Sequence, residues 1–89
     1  MTNRNWLAKY PKGVPADIDP AQYTSIVALM DESFAKYAAR DAYSCMDKRL
    51  SFAALDRYST AVAAWLQAKG LKRGDRVAIM MPNVLQYPV

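Results

Sequence analysis

Histidine does not occur in this sequence, and cysteine occurs once, as Cys45. The first absence removes the commonest general base and the commonest metal ligand together. Serine–histidine chemistry is thereby excluded within the chain for Ser25, Ser33, Ser44, Ser51 and Ser59. A lone cysteine excludes an internal disulfide and a cysteine-rich zinc site. Cys45 stands in an apolar, strand-like stretch, where a small buried hydrophobe is expected, and a reducing compartment fits. Glycine is scarce as well. Gly70-x-x-x-Gly74 matches neither a Walker loop nor a dinucleotide fingerprint, and each of these glycines has a turn to make. No run approaches the roughly 20 apolar residues of a membrane span. The opening residues have neither an apolar signal core nor a cleavage site, so a cytoplasmic chain is expected.

What is present is apolar content. Of 89 residues 53% are hydrophobic, the proportion of a globular protein, although a chain this short buries only a modest share of its surface. Its 12 basic and 8 acidic residues leave a net charge of +4, scattered from Arg4 to Arg76. Lys48-Arg49 and Lys72-Arg73 are only pairs, each close to an acid, which reads as solvated surface and not as a nucleic-acid site. Asp31 and Glu32 are adjacent, so on a helix their side chains point apart, and solvated charge is a better reading than a catalytic pair.

Residues 1–22 form an irregular arm, broken by Pro11, Gly13, Pro15 and Pro20 and anchored by Trp6, Leu7, Tyr10, Val14 and Ile18. Ser25 is placed to cap a helix running to about Ala39, with Ile26, Met30, Phe34 and Tyr37 as its apolar stripe. Ala42–Met46 reads as a strand, Asp47-Lys48 as a tight turn and Arg49-Leu50 as the start of the returning strand. Ser51 caps a second helix reaching Lys69, whose buried stripe is Leu55, Tyr58, Val62, Trp65 and Leu66, and Gly70 closes it in the left-handed position. Gly74-Asp75 turns into Val77–Met81, apolar without alternation, the pattern of a strand covered on both faces. Asn83 is placed to cap a helix starting near Val84. The order is α/β in character and reads as the opening of a larger unit, since a lone buried strand needs neighbours.

Three motifs in sequence carry a resemblance. The arm Trp6…Tyr10-Pro11…Val14-Pro15…Ile18…Tyr23…Ser25 looks like the leader of bacterial long-chain fatty-acid–CoA ligases, of the adenylate-forming (AMP-binding) superfamily. Leu50-Ser51-Phe52-Ala53-Ala54-Leu55 is similar to that superfamily's first core motif, departing from it at Ala54, where glutamate is common, and at Phe52, where tyrosine is. Gly74–Asn83 followed by Leu85-Gln86-Tyr87-Pro88-Val89 matches the long-chain branch closely. The resemblance implies residues 23–89 as the beginning of the large N-terminal AMP-binding domain, after the arm 1–22. It implies a parent that converts fatty acid, ATP and coenzyme A, with magnesium, to acyl-CoA, AMP and pyrophosphate through an acyl-adenylate. It leaves room for peripheral contact of the parent with the inner membrane and for a parent homodimer. The family's phosphate loop, acyl tunnel, ATP-binding aspartate and mobile lysine have no counterpart in these residues. No catalytic, cofactor-binding or metal-binding residue is therefore assigned, and the chain alone is expected to be an inactive fragment. The alternative from the residues is a stand-alone interaction module, with the arm and the apolar strand docking on a partner.

Overall fold

A computed structural model describes residues 3–89; residues 1–2 of the arm lie outside the described part. Helices α1 (Ile26–Tyr37) and α2 (Phe52–Ala68) are joined by an antiparallel hairpin of β1 (Asp41–Cys45) and β2 (Lys48–Ser51). Ser25 is extended and its Oγ accepts the Ala28 N–H at 3.0 Å, the expected cap of α1. The helix stops at Tyr37, short of Ala39. The reason is local: the carbonyls of Ala38 and Arg40 are turned toward α2, where they accept the N–H groups of Ala53 at 3.0 Å and Phe52 at 2.9 Å.

The hairpin is where expected, but its turn is one residue earlier. Cys45 pairs with Lys48, and Met46-Asp47 form the loop with φ of 50° and 61°. Two residues with positive φ match the right-handed twist of the strands. Aspartate tolerates that conformation well and methionine less so, which is why the sequence signal points to Asp47-Lys48. Ala42 is the extra residue of a bulge, since Asp41 faces Ser51 while Tyr43 faces Leu50.

Ser51 caps α2 by accepting the Ala54 N–H at 3.1 Å. At the other end Leu71 N–H donates to Leu66 C=O and Gly70 N–H to Gln67 C=O, with Gly70 at φ 86°. That is the paired closure of a Schellman motif, and a left-handed residue is what it requires.

Packing departs further from expectation. Leu50 and Leu55, 7% and 1% exposed, are the buried apolar side chains among the described residues. The stripe continuing along α2 is present but not buried: Tyr58, Val62 and Trp65 are 49%, 41% and 59% exposed. A radius of gyration of 17.8 Å decides what that means. A compact chain of this length would have about 12 Å.

Val77–Met81 joins no ladder among the described residues, where the paired strands are β1 and β2. Nor is there a helix at Val84. Val84 N–H donates to Pro82 C=O at 2.9 Å and Tyr87 N–H to Val84 C=O at 3.1 Å, which are turns. The Asn83 carbonyl accepts from the Cys45 thiol at 3.5 Å. Such short-range bonds win here because fixing a helical nucleus costs more than a single turn recovers. In the arm, a short 3-10 helix over Asn5–Lys9 replaces part of the irregular chain that was expected. Arg4 staples the arm to itself, reaching both carboxylate oxygens of Asp17 at 2.6 and 3.3 Å and the Ala16 carbonyl at 2.8 Å.

Replacing Gly70 by alanine tests the closure of α2. Space is not limiting, since nothing lies within 4 Å of an added Cβ, but the positive φ is. A loss of about 1 kcal/mol or more is expected, seen as an earlier melt of helical circular dichroism.

Candidate functional site

Ser25, Ser51, Ser59 and the first N–H groups of α2 are engaged in holding the backbone. The first three N–H groups of α2 would form an anion site if free. Instead Phe52 donates to Arg40 C=O, Ala53 to Ala38 C=O and Ala54 to Ser51 Oγ. Ser25 and Ser51 are helix caps, and Ser59 Oγ donates to the Asp56 carbonyl at 3.0 Å. Among the described residues no three His, Cys, Asp or Glu side chains come together in a metal-holding group.

The glycine-aspartate motif has an equally structural explanation. Asp75 N–H donates to Lys72 C=O at 3.0 Å, and the Asp75 carboxylate accepts the Lys72 N–H at 2.7 Å. Gly74 occupies the third position of that turn with φ of 91°, which a type II turn asks of its third residue. Glycine supplies the conformation and aspartate locks it from both sides. The turn aims residues 76–81 back along α2.

Two apolar grooves result. One, of about 340 Å³, lies between α1 and α2 and is lined by Ile26, Met30, Phe34 and Leu55, with Asp31 and Asp56 at its rim. The larger, of about 630 Å³, lies between α2 and the chain after the turn. Tyr58, Val62, Trp65 and Leu66 form one wall, and Val77, Ile79, Met80 and Met81 form the other. Its lining is almost wholly apolar and carries no titratable group except Tyr58 and Tyr87. Such a surface suits apolar groups, with the Tyr58 and Tyr87 hydroxyls and the Gln86 amide as its polar side-chain groups. Periodicity identifies the α2 wall but assigns it to a core. What sequence cannot register is that the side chains opposite it are too few to cover it.

The described residues thus form a small α/β unit whose serines and glycines serve in caps and turns and whose open face is apolar. The chain belongs to the AMP-binding enzyme family, whose model matches residues 30–89. It is 49% identical over 85 residues to a long-chain-fatty-acid–CoA ligase of Escherichia coli, covering 94% of this chain and 15% of that protein. The ligase of the same name from Salmonella typhimurium is likewise 49% identical over 85 residues, and that from Yersinia pestis 46%, with the same coverage. The chain thus spans about 15% of the length of the curated relatives it matches. No solved structure matches it.

The dye 8-anilinonaphthalene-1-sulfonate, an anion whose aromatic rings seek apolar surface, is expected to fluoresce when mixed with the 89-residue chain. The double substitution Val62→Asp, Trp65→Ala should cut the enhancement by about half or more, because it removes one wall of the larger groove. An unchanged signal would place the dye elsewhere.

Proposed function

We propose that this chain is the N-terminal scaffold of a long-chain fatty-acid–CoA ligase, an enzyme that converts a long-chain fatty acid, ATP and coenzyme A to acyl-CoA, AMP and pyrophosphate through an acyl-adenylate. The observation that carries the reading is the 49% identity maintained over 94% of the chain to a ligase of that name. The long-chain branch is favoured because the match runs through the arm as well as the family core at residues 30–89. The interaction-module alternative has no comparable support among the relatives.

Within that enzyme these residues contribute position and not chemistry. Adenylate-forming chemistry needs groups that hold phosphates and a magnesium ion. The described residues are not suited to holding either, because the α2 N–H groups are bonded internally and Gly70 and Gly74 close a helix and a turn. What the segment does offer is a rigid corner. The hairpin and α2 set the direction of residues 77–81, and the Lys72–Asp75 turn fixes where that run starts. A cytoplasmic location, where ATP and coenzyme A are at hand, goes with the reading.

The test is a transplant. The chain replaces the matching segment of the Escherichia coli ligase, and acyl-CoA formation from a long-chain fatty acid is measured. Activity within about tenfold of the parent is expected, a change of up to ~1.4 kcal/mol in transition-state stabilisation. The 89-residue chain alone should form no thioester. A soluble, folded transplant without turnover would sink the reading, and turnover by the isolated chain would show that the chemistry had been misplaced.

A further inference from the structure

The arm is tied to itself and not to the rest of the chain. Arg4 closes residues 4–17 into a loop through the Asp17 carboxylate and the Ala16 carbonyl. Among the described residues, the 3-10 helix Asn5–Lys9 inside that loop packs against neither the hairpin nor the two helices. Tyr10 N–H donates to Leu7 C=O at 3.1 Å and Val14 N–H to Pro11 C=O at 3.2 Å, so the loop has turns of its own. Compact loops with joined ends frequently carry function. What the arm displays is apolar: Trp6, Tyr10, Val14 and Ile18 are all exposed.

The arm also follows one group of relatives. The family core begins at residue 30. A long-chain-fatty-acid–CoA ligase of Bacillus subtilis, 34% identical, matches over 86 residues and 97% of this chain, which takes in the arm. A 2,3-dihydroxybenzoate–AMP ligase of the same bacterium, 32% identical, matches over 59 residues and 66% of this chain. The core at 30–89 is long enough to account for that second match by itself. Identity is similar in the two cases, so divergence does not explain the difference in extent.

We infer that Trp6 and Tyr10 are specificity-determining residues of the ligase, meeting the alkyl chain of a long-chain fatty acid and favouring it over a short one. The inference rests on the ligase reading above and assigns the arm a part in its choice of substrate. The chemistry suits the task. An alkyl chain has nothing to hydrogen-bond, so its length is read through apolar contact. Tryptophan and tyrosine supply large apolar area, and the Arg4–Asp17 clamp restricts the loop that carries them, leaving less ordering for the binding step. Cover for the shared core is a weaker explanation, because the dihydroxybenzoate ligase matches an extent equal to that core without the full length of this chain.

Chain-length preference tests the inference. The double substitution Trp6→Ala, Tyr10→Ala is made in the Escherichia coli transplant, and kcat/KM is measured for hexadecanoic and octanoic acids in detergent. The ratio of the two is expected to fall by about tenfold or more, and the conservative pair Trp6→Phe, Tyr10→Phe should hold it within about twofold. An equal fall for both acids marks a structural role and overturns the inference, as does no change in either. A ratio that falls only when the acids are supplied in phospholipid vesicles assigns the rings to a lipid surface and also overturns it. If the alanine pair cannot be purified, Trp6→Leu alone is judged by the same ratio. A transplant with both rings intact that folds without forming acyl-CoA sinks the ligase reading. Equilibrium binding of the two acids then replaces kcat/KM: a length preference lost with the rings supports the inference, and one that is kept or absent overturns it. A transplant that never folds counts against it.

Discussion

The junction between the two helices is the constraint on which the rest of this structure depends. The last carbonyls of the α1 corner, from Ala38 and Arg40, accept the first N–H groups of α2, from Ala53 and Phe52. Helix ends leave such groups orphaned, and here the negative end of one helix meets the positive end of the other. The hairpin between them is forced to double back within that span, which places Leu50 directly before the cap residue Ser51 and brings Leu55 beneath the corner. Tyr37 and Phe52 lie across the junction with ring centroids 5.9 Å apart, and the Arg40 guanidinium sits 5.2 Å above the Tyr37 ring. The ion pair Arg49–Asp41 at 3.0 Å adds little, since both side chains are at least half exposed.

That corner explains a division of labour between polar and apolar groups. Ser25, Ser51, Gly70, Gly74 and Asp75 are engaged in fixing the backbone: serine as cap, glycine as left-handed closure, aspartate as turn lock. The apolar groups, by contrast, are organised but uncovered. A domain normally buries its helices and sheets as packed layers, and here the α2 stripe is uncovered among the described residues. The excess radius of gyration and the exposed α2 stripe are the same fact seen twice. The relatives that the chain matches are much longer than the segment they share with it.

The differences between sequence pattern and structure share one physical origin. Caps and turns are decided by a few neighbouring residues, so Ser25, Ser51, Gly70 and Gly74 are legible with their roles. The hairpin turn is displaced by one residue because register depends on which residues pair, and Met46 takes a conformation that its side chain does not advertise. The strand expected at 77–81 and the helix expected near 84 rest on patterns that presuppose surroundings. A run of apolar residues states what environment it suits, and cannot state that the environment is there.

Four local features, the caps at Ser25 and Ser51 and the left-handed turns at Gly70 and Gly74, follow from the sequence alone, as do the α/β character, the family and the lack of histidine. Those follow from side-chain hydrogen bonds, from allowed φ and ψ values, and from motifs contained in short stretches. Three-dimensional packing was needed to show that Leu55 is buried while Trp65 is not, that the Ala38 and Arg40 carbonyls bond to α2, and that residues 77–81 join no ladder among the described residues. Burial is a property of what lies opposite a side chain, and that is settled by chain geometry in three dimensions.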